Sequence, residues 1–462
     1  MCKWSATLSP RRRAVPSHVV IGGGITGLAA CWYLAKAGHR PLLIEKEKRL
    51  GGVIRTDEVE GCLVEGGPDS FLASKPAAME LIRELGLEAD VIGSNDHQRV
   101  TFIVKNGRLV PMPDGLAMMV PTQIMPMLKS PLFSWGTKVR MGLEYFRRPV
   151  ENPPERSVAQ LVREHYGQEA VDYLAEPLLA GVYGGDPEEM SADAVLAMFV
   201  AMEKKYGSLT KGTLAMRAQR TSTGPLFRTL KGGMEQLTQT ITCQLAGKMD
   251  RCQDEAVAIR KSTFGFEVQL KRERIYAENV FVCCPATAAG GLLRPMDDRL
   301  GELLSGIRYN SSVTLALGYA EADVEGKIKG FGFLVPKVER KRLAACTFVK
   351  TKFDHRVPPA KALLRCFLGG AAIDVPEEEL IRDVLAELRD LLGLTVTPMF
   401  TRLTRWRGAM AQYGLGHKQR VAEIRERTQL HPGLYLAGNA YEGIGIPDCI
   451  RGAKDAVARP AG

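Results

Sequence analysis

A chain of 462 residues, 45% hydrophobic and 25% charged, is ordinary for a soluble globular protein and long enough for two or three domains. Its net charge of +10 favours anionic partners such as phosphates, carboxylates or an acidic lipid surface, although a basic surface that only keeps the protein soluble explains it equally well. No Arg/Lys-rich tract with interleaved aromatic residues occurs, and this disfavours nucleic acid as a partner.

The N-terminal segment 1–16 is basic, with Lys3, Arg11, Arg12 and Arg13 and no acidic residue. It lacks the apolar core of a secretory signal, so we expect a disordered tail, with a transit-like segment as the alternative. The ten cysteines are scattered through mostly apolar runs without a C-x-x-C pair, which is typical of reduced core cysteines in an intracellular protein. The seven histidines show no ligand spacing, and we predict no metal site.

A glycine motif near the N-terminus predicts a strand, a tight turn and a helix. The apolar run 17–21 leads into Gly22-x-Gly24-x-x-Gly27, and helical periodicity continues through residues 28–34. In this motif the first glycine permits the turn, the second lets a pyrophosphate approach the main chain, and the third lets the helix pack against the strand. Phosphate charge then lies at the positive end of the helix. A glycine turn that binds nothing is the alternative.

The segment after this helix extends the same prediction. A second apolar strand, residues 41–44, ends at Glu45, where the motif places a carboxylate for the ribose hydroxyls of a dinucleotide. The paired glycines of segment 46–56 bring bare backbone next to Arg49, as a second contact to an anionic cofactor requires. The strand and Gly-Gly-Pro turn of segment 62–71 belong to the same unit and are expected to face the same ligand.

The middle of the chain changes character. Residues 76–87 predict a helix, and residues 99–111 predict a hairpin around Asn106-Gly107. The region 113–206 is rich in methionine and predicts helices at residues 135–146, 158–165 and 170–179. Its apolar residues, with cations nearby, are those of a membrane-interface surface or of a wall for an apolar ligand. The nearby cations are Lys129, Lys138, Arg140, Arg147 and Arg148. A plain hydrophobic core explains the same pattern, and from sequence we favour it slightly.

The second half predicts two sheets. Residues 254–259, 264–270 and 279–287 read as strands, the last one returning to the parallel sheet. A second, antiparallel sheet is expected from residues 312–319, 330–335, 343–349 and 362–368, followed by a helix at 377–391. Near the C-terminus a buried strand at 433–439 precedes a helix that runs from about residue 443 to 458. We expect this helix to direct a second N-terminus at the cofactor.

Several segments together resemble one enzyme family. VVIGGGITGLAA, IEKEKRLGGVIRT and VFVCCPA are similar to flavin-dependent oxidases of the amine oxidase superfamily. AGVYGGDPEEMSA, GFGFLVP and GNAYEGIGIPDCI are more specific and resemble the protoporphyrinogen oxidases. The matching segments span nearly all of residues 17–458.

The resemblance implies an α/β fold (α+β overall) with a Rossmann-like FAD-binding domain of discontinuous segments, a mixed-sheet substrate domain and an inserted helical domain. The FAD-binding domain is expected at residues 17–93, 243–294 and 408–462. The substrate-binding domain is expected at residues 94–112, 207–242 and 295–407. The helical domain, which the resemblance makes a candidate for membrane association, is expected at residues 113–206.

The resemblance also implies site residues. Arg99 would face a substrate propionate, Gly181 would offer its carbonyl to pyrrole N–H groups, and the tetrapyrrole would be walled by Leu334, Cys346 and Phe367. FAD would be bound by Gly22, Gly23, Gly24, Ile25, Thr26, Gly27, Glu45, Arg49, Val53, Gly67, Pro68, Asp69, Ser70, Val257, Asn439, Ile444, Gly445 and Ile446.

Three residues depart from the family pattern. Cys346 is smaller and softer than the aliphatic residue expected at its position, while Arg407 and Ala411 replace prolines beside Gln412-Tyr413. These departures bear on the width of the substrate pocket and leave the cofactor assignment unchanged.

The activity that the resemblance implies is oxidation of protoporphyrinogen IX, or of coproporphyrinogen III, in haem biosynthesis. Hydride would pass from the macrocycle to flavin, dioxygen would reoxidise the flavin, and no catalytic side chain is expected because the flavin carries the chemistry. A cytoplasmic protein with peripheral contact to the inner face of the cell membrane is implied, and a homodimer is allowed. A flavin amine oxidase, a carotenoid-type desaturase and a flavin-free binding scaffold are the alternatives.

Overall fold

The first unit is built on a parallel sheet. The structure, a computed structural model, describes residues 16–218 and 224–459, so the predictions for residues 1–15 lie outside it. Five strands pair in parallel, in the spatial order Asp250–Cys252, Leu42–Ile44, His18–Ile21, Asn279–Val282 and Leu434–Leu436. Most of their residues are buried, because a parallel sheet is covered on both faces and needs continuous apolar runs. The predicted return of the chain to this sheet at residue 279 is confirmed.

Helices cover one face of this sheet and a smaller sheet covers the other. The first face packs against Pro76–Glu84, Glu235–Gln244, Ile25–Lys36 and Ile446–Ala458. The second face packs against a three-stranded sheet and further helices: Ala256–Ser262, Gly265–Leu270, Arg274–Ala277, Ala286–Leu293, Asp298–Ser305 and His417–Gln429. These layers form the Rossmann-like unit that was expected.

A seven-stranded sheet forms the second unit. In spatial order its strands are Phe400–Ala411, Tyr309–Ala320, Lys361–Leu368, Leu343–Phe348, Gly332–Leu334, Thr101–Lys105 and Arg108–Pro111. The sheet is mixed, since Gly332–Leu334 pairs in parallel with Thr101–Lys105. All other neighbouring strands of this sheet pair antiparallel. Helix Glu377–Leu392 closes the core on one face. The edge strand Phe400–Ala411 was not predicted, and it continues past the expected domain boundary at residue 408.

The third region is helical. Its helices are Ile124–Lys129, Trp135–Glu144, Val158–Tyr166, Gln168–Ala170, Glu176–Tyr183, Ala192–Val195, Ala197–Tyr206 and Leu209–Ala218. The helix predicted at 170–179 is interrupted by a π-helical turn at Val171–Ala175. Within residues 16–218 and 224–459, no helix combines the length and apolar character that crossing a bilayer requires.

A buried charge cluster ties the helices of this region together. His165 is 1% exposed, and its Nδ1 and Nε2 lie 2.8 and 3.0 Å from the carboxylates of Glu144 and Glu203. Glu203 also pairs with Arg156, and Glu144 accepts hydrogen bonds from Ser208 and from the amides that follow it. Removing one member of such a cluster leaves a buried charge without its partner, at a cost of about 3–5 kcal/mol.

Small sheets connect these regions. A hairpin joins Thr56–Val59 to Cys62–Glu65, and a second short pair joins Leu116–Ala117 to Val120–Pro121. Three short strands bring distant segments together in the order Phe71–Leu72, Phe227–Leu230 and Val91–Gly93. Strand Phe71–Leu72 of this last sheet directly follows residues 66–70, so the sheet holds that loop between the two larger units.

Candidate active site

One large cavity extends from the parallel sheet to the seven-stranded sheet. Its volume is 3210 Å³, whereas a pocket for a single small ligand has about 300–1,000 Å³. The walls include the carboxyl ends of His18–Ile21 and Leu42–Ile44, the position at which open α/β sheets bind ligands. The cavity therefore has room for two sizeable groups at once.

The glycine turn at the end of the first strand has the geometry that its motif predicts. Gly22 has a φ of +107°, and a Cβ on Gly27 would lie 1.8 Å from the carbonyl oxygen of Gly22. A Cβ on Gly24 would meet no atom within 4 Å, so the backbone there faces open space. Helix Ile25–Lys36 begins at this point without a capping side chain or an acidic residue in its first turn. Its amide groups and positive dipole end are free to receive an anion.

Glu45 closes the other side of the turn. Its carboxylate accepts hydrogen bonds from the amide of Gly23 at 2.6 Å and from the amide of Glu47 at 2.8 Å. The side chain therefore braces the glycine turn while it lines the cavity. A carboxylate has about four acceptor sites, so Glu45 keeps capacity for a ligand hydroxyl.

A second helix also begins at the cavity. Helix Ile446–Ala458 follows Gly445 and has no capping side chain. The acidic residue of its first turn, Asp448, is paired with Lys75 at 2.5 Å. Two helix N-termini from opposite ends of the chain thus line the same space.

The predicted site residues come together to a large degree. All of them line the cavity except Gly23 and Gly27, whose roles are in the packing of the turn. Like Glu45, the predicted cofactor contacts Arg49 and Asn439 have side chains that already bind protein. The Arg49 guanidinium donates to backbone carbonyls of residues 50–54, and Asn439 donates to the carbonyl of Ala409 while it accepts from the hydroxyl of Tyr309.

The predicted substrate residues lie in the other half of the cavity. Leu334 and Phe367 point to the same face of the seven-stranded sheet. Gly181 lies in the last turn of Glu176–Tyr183, where carbonyl groups lack an intrahelical donor. Arg99 precedes strand Thr101–Lys105, is exposed, and has no ion-pair partner among the residues that the structure describes.

Cys346 lies between the cavity and the core of the second unit. It borders the cavity, but it is paired directly with Cys366, and the two Sγ atoms lie 3.8 Å apart in the core behind the sheet. Burial raises the pKa of the Cys346 thiol well above its usual value, so the thiol stays neutral. Because side chains alternate along a strand, Ala345 is the residue that shares the cavity face with Phe367. Ala345 is therefore a further candidate for the cavity wall, and the role of Cys346 stays a prediction.

Buried charges beside residues 66–70 were missed from sequence. Lys352 pairs with Asp69 at 2.9 Å, and Arg356 pairs with Glu65 at 2.9 Å. Burial raises the pKa of the Asp69 carboxyl, but Lys352 and the two nearby arginines outweigh burial and hold that pKa well below its usual value. Arg365 completes the group, and the one available signal was a cation within the apolar strand Lys361–Leu368.

Residues 25–459 match the flavin containing amine oxidoreductase family. The chain belongs to this family. It is 34% identical to a coproporphyrinogen III oxidase of Bacillus subtilis (strain 168), over 95% of this chain and 97% of that protein. It is 27% identical to a chloroplastic protoporphyrinogen oxidase 1 of Arabidopsis thaliana, over 95% of this chain and 86% of that protein. A solved structure from Exiguobacterium sp. 255-15, assigned provisionally as a protoporphyrinogen oxidase, has a TM-score of 0.85 and 30% identity, and the match covers 95% of this chain and 97% of that one.

Membership of this family confirms the predicted fold, enzyme class and cofactor: the chain is an FAD-dependent oxidoreductase. The residues of the cavity fit FAD, because two uncapped helix N-termini suit its pyrophosphate and its polar rings, and open space adjoins Gly24. The flavin-free scaffold that the sequence left open does not agree with this membership.

The close contact at Gly27 yields a prediction. In Gly27→Ala the new methyl group collides with the Gly22 carbonyl and moves the helix N-terminus away from the strand. We expect FAD to bind about tenfold more weakly, measured as the dissociation constant for FAD added to flavin-stripped protein.

The matched control is Gly452→Ala. Gly452 lies within helix Ile446–Ala458, and its added methyl group would meet no atom within 4 Å. Unchanged FAD affinity is expected, with a small gain in stability from higher helix propensity. Equal FAD affinity of the Gly27 variant and this control would contradict the prediction.

Proposed function

We propose that this enzyme oxidises a porphyrinogen to the corresponding porphyrin with dioxygen as acceptor, and that coproporphyrinogen III is its preferred substrate. The observation that carries the proposal is full-length similarity to the Bacillus subtilis coproporphyrinogen III oxidase at 34% identity. A second coproporphyrinogen III oxidase, from Propionibacterium freudenreichii subsp. freudenreichii, is 32% identical over 97% of this chain. The chloroplastic protoporphyrinogen oxidases are less similar, at 26–28% identity.

The cavity supports this proposal by its two contrasting halves. One half presents helix N-termini and bare glycine backbone, and the other presents apolar side chains on a sheet and a helical wall. FAD, when bound in the first half, supplies the acceptor for a hydride and passes electrons on to dioxygen. The remaining demand on the chain is to hold a flexible macrocycle in one orientation and to exclude water from it.

In the proposed arrangement the chain binds the substrate by its periphery and its centre. Leu334 and Phe367 provide an apolar wall for the macrocycle. The carbonyl of Gly181, in a last helical turn, is an acceptor for pyrrole N–H groups. Arg99, without an ion-pair partner in the described part of the chain, binds a propionate through a charge-assisted hydrogen bond.

Anaerobic titration tests the proposed substrate. The purified holoenzyme is mixed with increasing amounts of coproporphyrinogen III or of protoporphyrinogen IX, and loss of the flavin absorbance is recorded together with porphyrin fluorescence. We expect both substrates to bleach the flavin, coproporphyrinogen III at the lower concentration. Bleaching by simple amines with no response to either porphyrinogen would instead support an amine oxidase.

Arg99→Ala tests the proposed propionate contact. Losing one charge-assisted hydrogen bond should raise KM for coproporphyrinogen III roughly tenfold with flavin content unchanged. Arg108→Ala is the control, because Arg108 is an exposed arginine of the adjoining hairpin that does not line the cavity. A KM for Arg99→Ala equal to that of the control removes Arg99 from the substrate site.

We further propose that the helical region contacts a membrane surface peripherally. Trp135, Val139 and Leu143 follow each other at four-residue spacing on helix Trp135–Glu144 and, with Phe146 just after it, are 58–74% exposed. Spacing of this kind forms one apolar stripe along a helix. Side chains that a core would bury therefore face outward here.

The surrounding charges favour an anionic lipid surface. Five cations of this region have no ion-pair partner among residues 16–218 and 224–459: Lys129, Lys138, Arg140, Arg147 and Arg148. Lys138, Arg140 and Arg147 instead donate to backbone carbonyls, so their positive charge is not neutralised. An apolar stripe with adjacent cations is the usual composition of a helix that lies on a membrane.

Vesicle sedimentation tests this surface. We expect the holoenzyme to pellet with vesicles that contain phosphatidylglycerol and to stay in solution with phosphatidylcholine alone. The double variant Trp135→Ser/Phe146→Ser should bind roughly tenfold more weakly because it removes two exposed aromatic side chains. Phe264→Ser is the control, since Phe264 is 78% exposed at the tip of a distant hairpin. Equal binding of the double variant and wild type would refute the proposal.

A further inference from the structure

Arg365 is a deeply buried cation in the cavity wall. It is 4% exposed and lies in strand Lys361–Leu368, two residues before Phe367, so both side chains point to the cavity face. Its guanidinium carbon is 4.7 Å from the centre of the Phe367 ring. One terminal nitrogen donates to the carbonyl of Gly67, and the Nε–H has no acceptor among the described residues.

The charges around Arg365 do not balance. Lys352 is neutralised by Asp69 and Arg356 by Glu65, each across a contact of 2.9 Å. No carboxylate lies within ion-pair distance of Arg365 in the described part of the chain, so the cluster carries one excess positive charge. A buried charge without a partner is unfavourable, and proteins retain one where another group completes it. The missing negative charge is therefore expected from whatever occupies the cavity.

We infer that Arg365 stabilises the reduced form of FAD and thereby raises the reduction potential of the bound cofactor. Two electrons and one proton convert the neutral oxidised flavin ring into an anion, so a fixed cation nearby favours the reduced state. The inference rests on the proposed position of FAD against residues 67–70, because Arg365 is attached to the carbonyl of Gly67.

The position of Arg365 favours the cofactor over a substrate carboxylate as the completing group. Arg365 lies beneath the apolar side chain of Phe367 and binds the loop on which cofactor contacts are expected. A propionate that reached it would lose its hydration within an apolar wall, whereas Arg99 offers an exposed cation elsewhere on the same cavity. A change in the reduction potential of the cofactor would indicate the first role, and a change in KM for the substrate would indicate the second.

The test is the midpoint potential of the flavin in the holoenzyme, measured by anaerobic dye equilibration without substrate. Arg365→Gln should lower the equilibrium constant for two-electron reduction about tenfold, which is about 30 mV, and Arg365→Lys should restore most of the loss. KM for the porphyrinogen should stay unchanged in both variants. Arg405→Gln is the matched control, because Arg405 also has an unpartnered Nε and a backbone acceptor but lies outside the cavity.

A second variant, expected to shift the reduction potential in the opposite direction, tests the inference if Arg365→Gln does not retain flavin. Asp69→Asn removes one negative charge from the same cluster and should raise the potential. A flavin potential in Arg365→Gln equal to that of Arg405→Gln, or a lower potential in Asp69→Asn, would overturn the inference. A raised KM with unchanged potential would assign Arg365 to a substrate carboxylate. Wild-type protein that binds no flavin would instead refute the placement of FAD on which the inference rests.

Discussion

The contact between Gly27 and the carbonyl of Gly22 is the constraint on which the site depends. Only a residue without Cβ lets helix Ile25–Lys36 begin directly at the end of the first strand. The C-terminal helix Ile446–Ala458 then packs on that helix within one shared core, which brings its own N-terminus to the same cavity. The position of the first helix dipole therefore depends on one missing side chain, and the second helix packs in the same core as the helix that carries it.

Local pattern accounts for much of what sequence could predict. The glycine motif, the buried strands of the parallel sheet and helix Glu377–Leu392 are encoded in contiguous residues, so their signals survive without tertiary information. Pairing in the second sheet is not local in the same way. Strand Phe400–Ala411 has mixed polarity because only part of it is buried, and its place at the edge of the sheet depends on partners about 90 residues earlier.

The neighbouring residues Ala345 and Cys346 show how finely a strand must be known before a wall residue can be assigned. A shift of one residue exchanges the cavity face for the core face, and both Ala345 and Cys346 are small enough to suit either. Buried charges are harder still, since Lys352, Asp69 and Arg365 lie up to about 300 residues apart in sequence. A cation within an apolar strand signals an unusual environment, but its partner can be identified only when the chain is folded.

The helical region provides both a hydrophobic core and part of the cavity wall, and its composition alone could not distinguish the residues of one from those of the other. Met127 and Met141 are buried in its core, as the interpretation favoured from sequence requires. Met118, Val182 and Met198 are instead 42–55% exposed, and the same three side chains line the cavity. A core explains only the first set, because apolar side chains that stay exposed gain little from internal packing. The second set instead lines the cavity, within the same helical region that carries the exposed stripe around Trp135. These three side chains are therefore available to contact the macrocycle of the proposed substrate, so the helical region contributes to the cavity wall as well as to its own core.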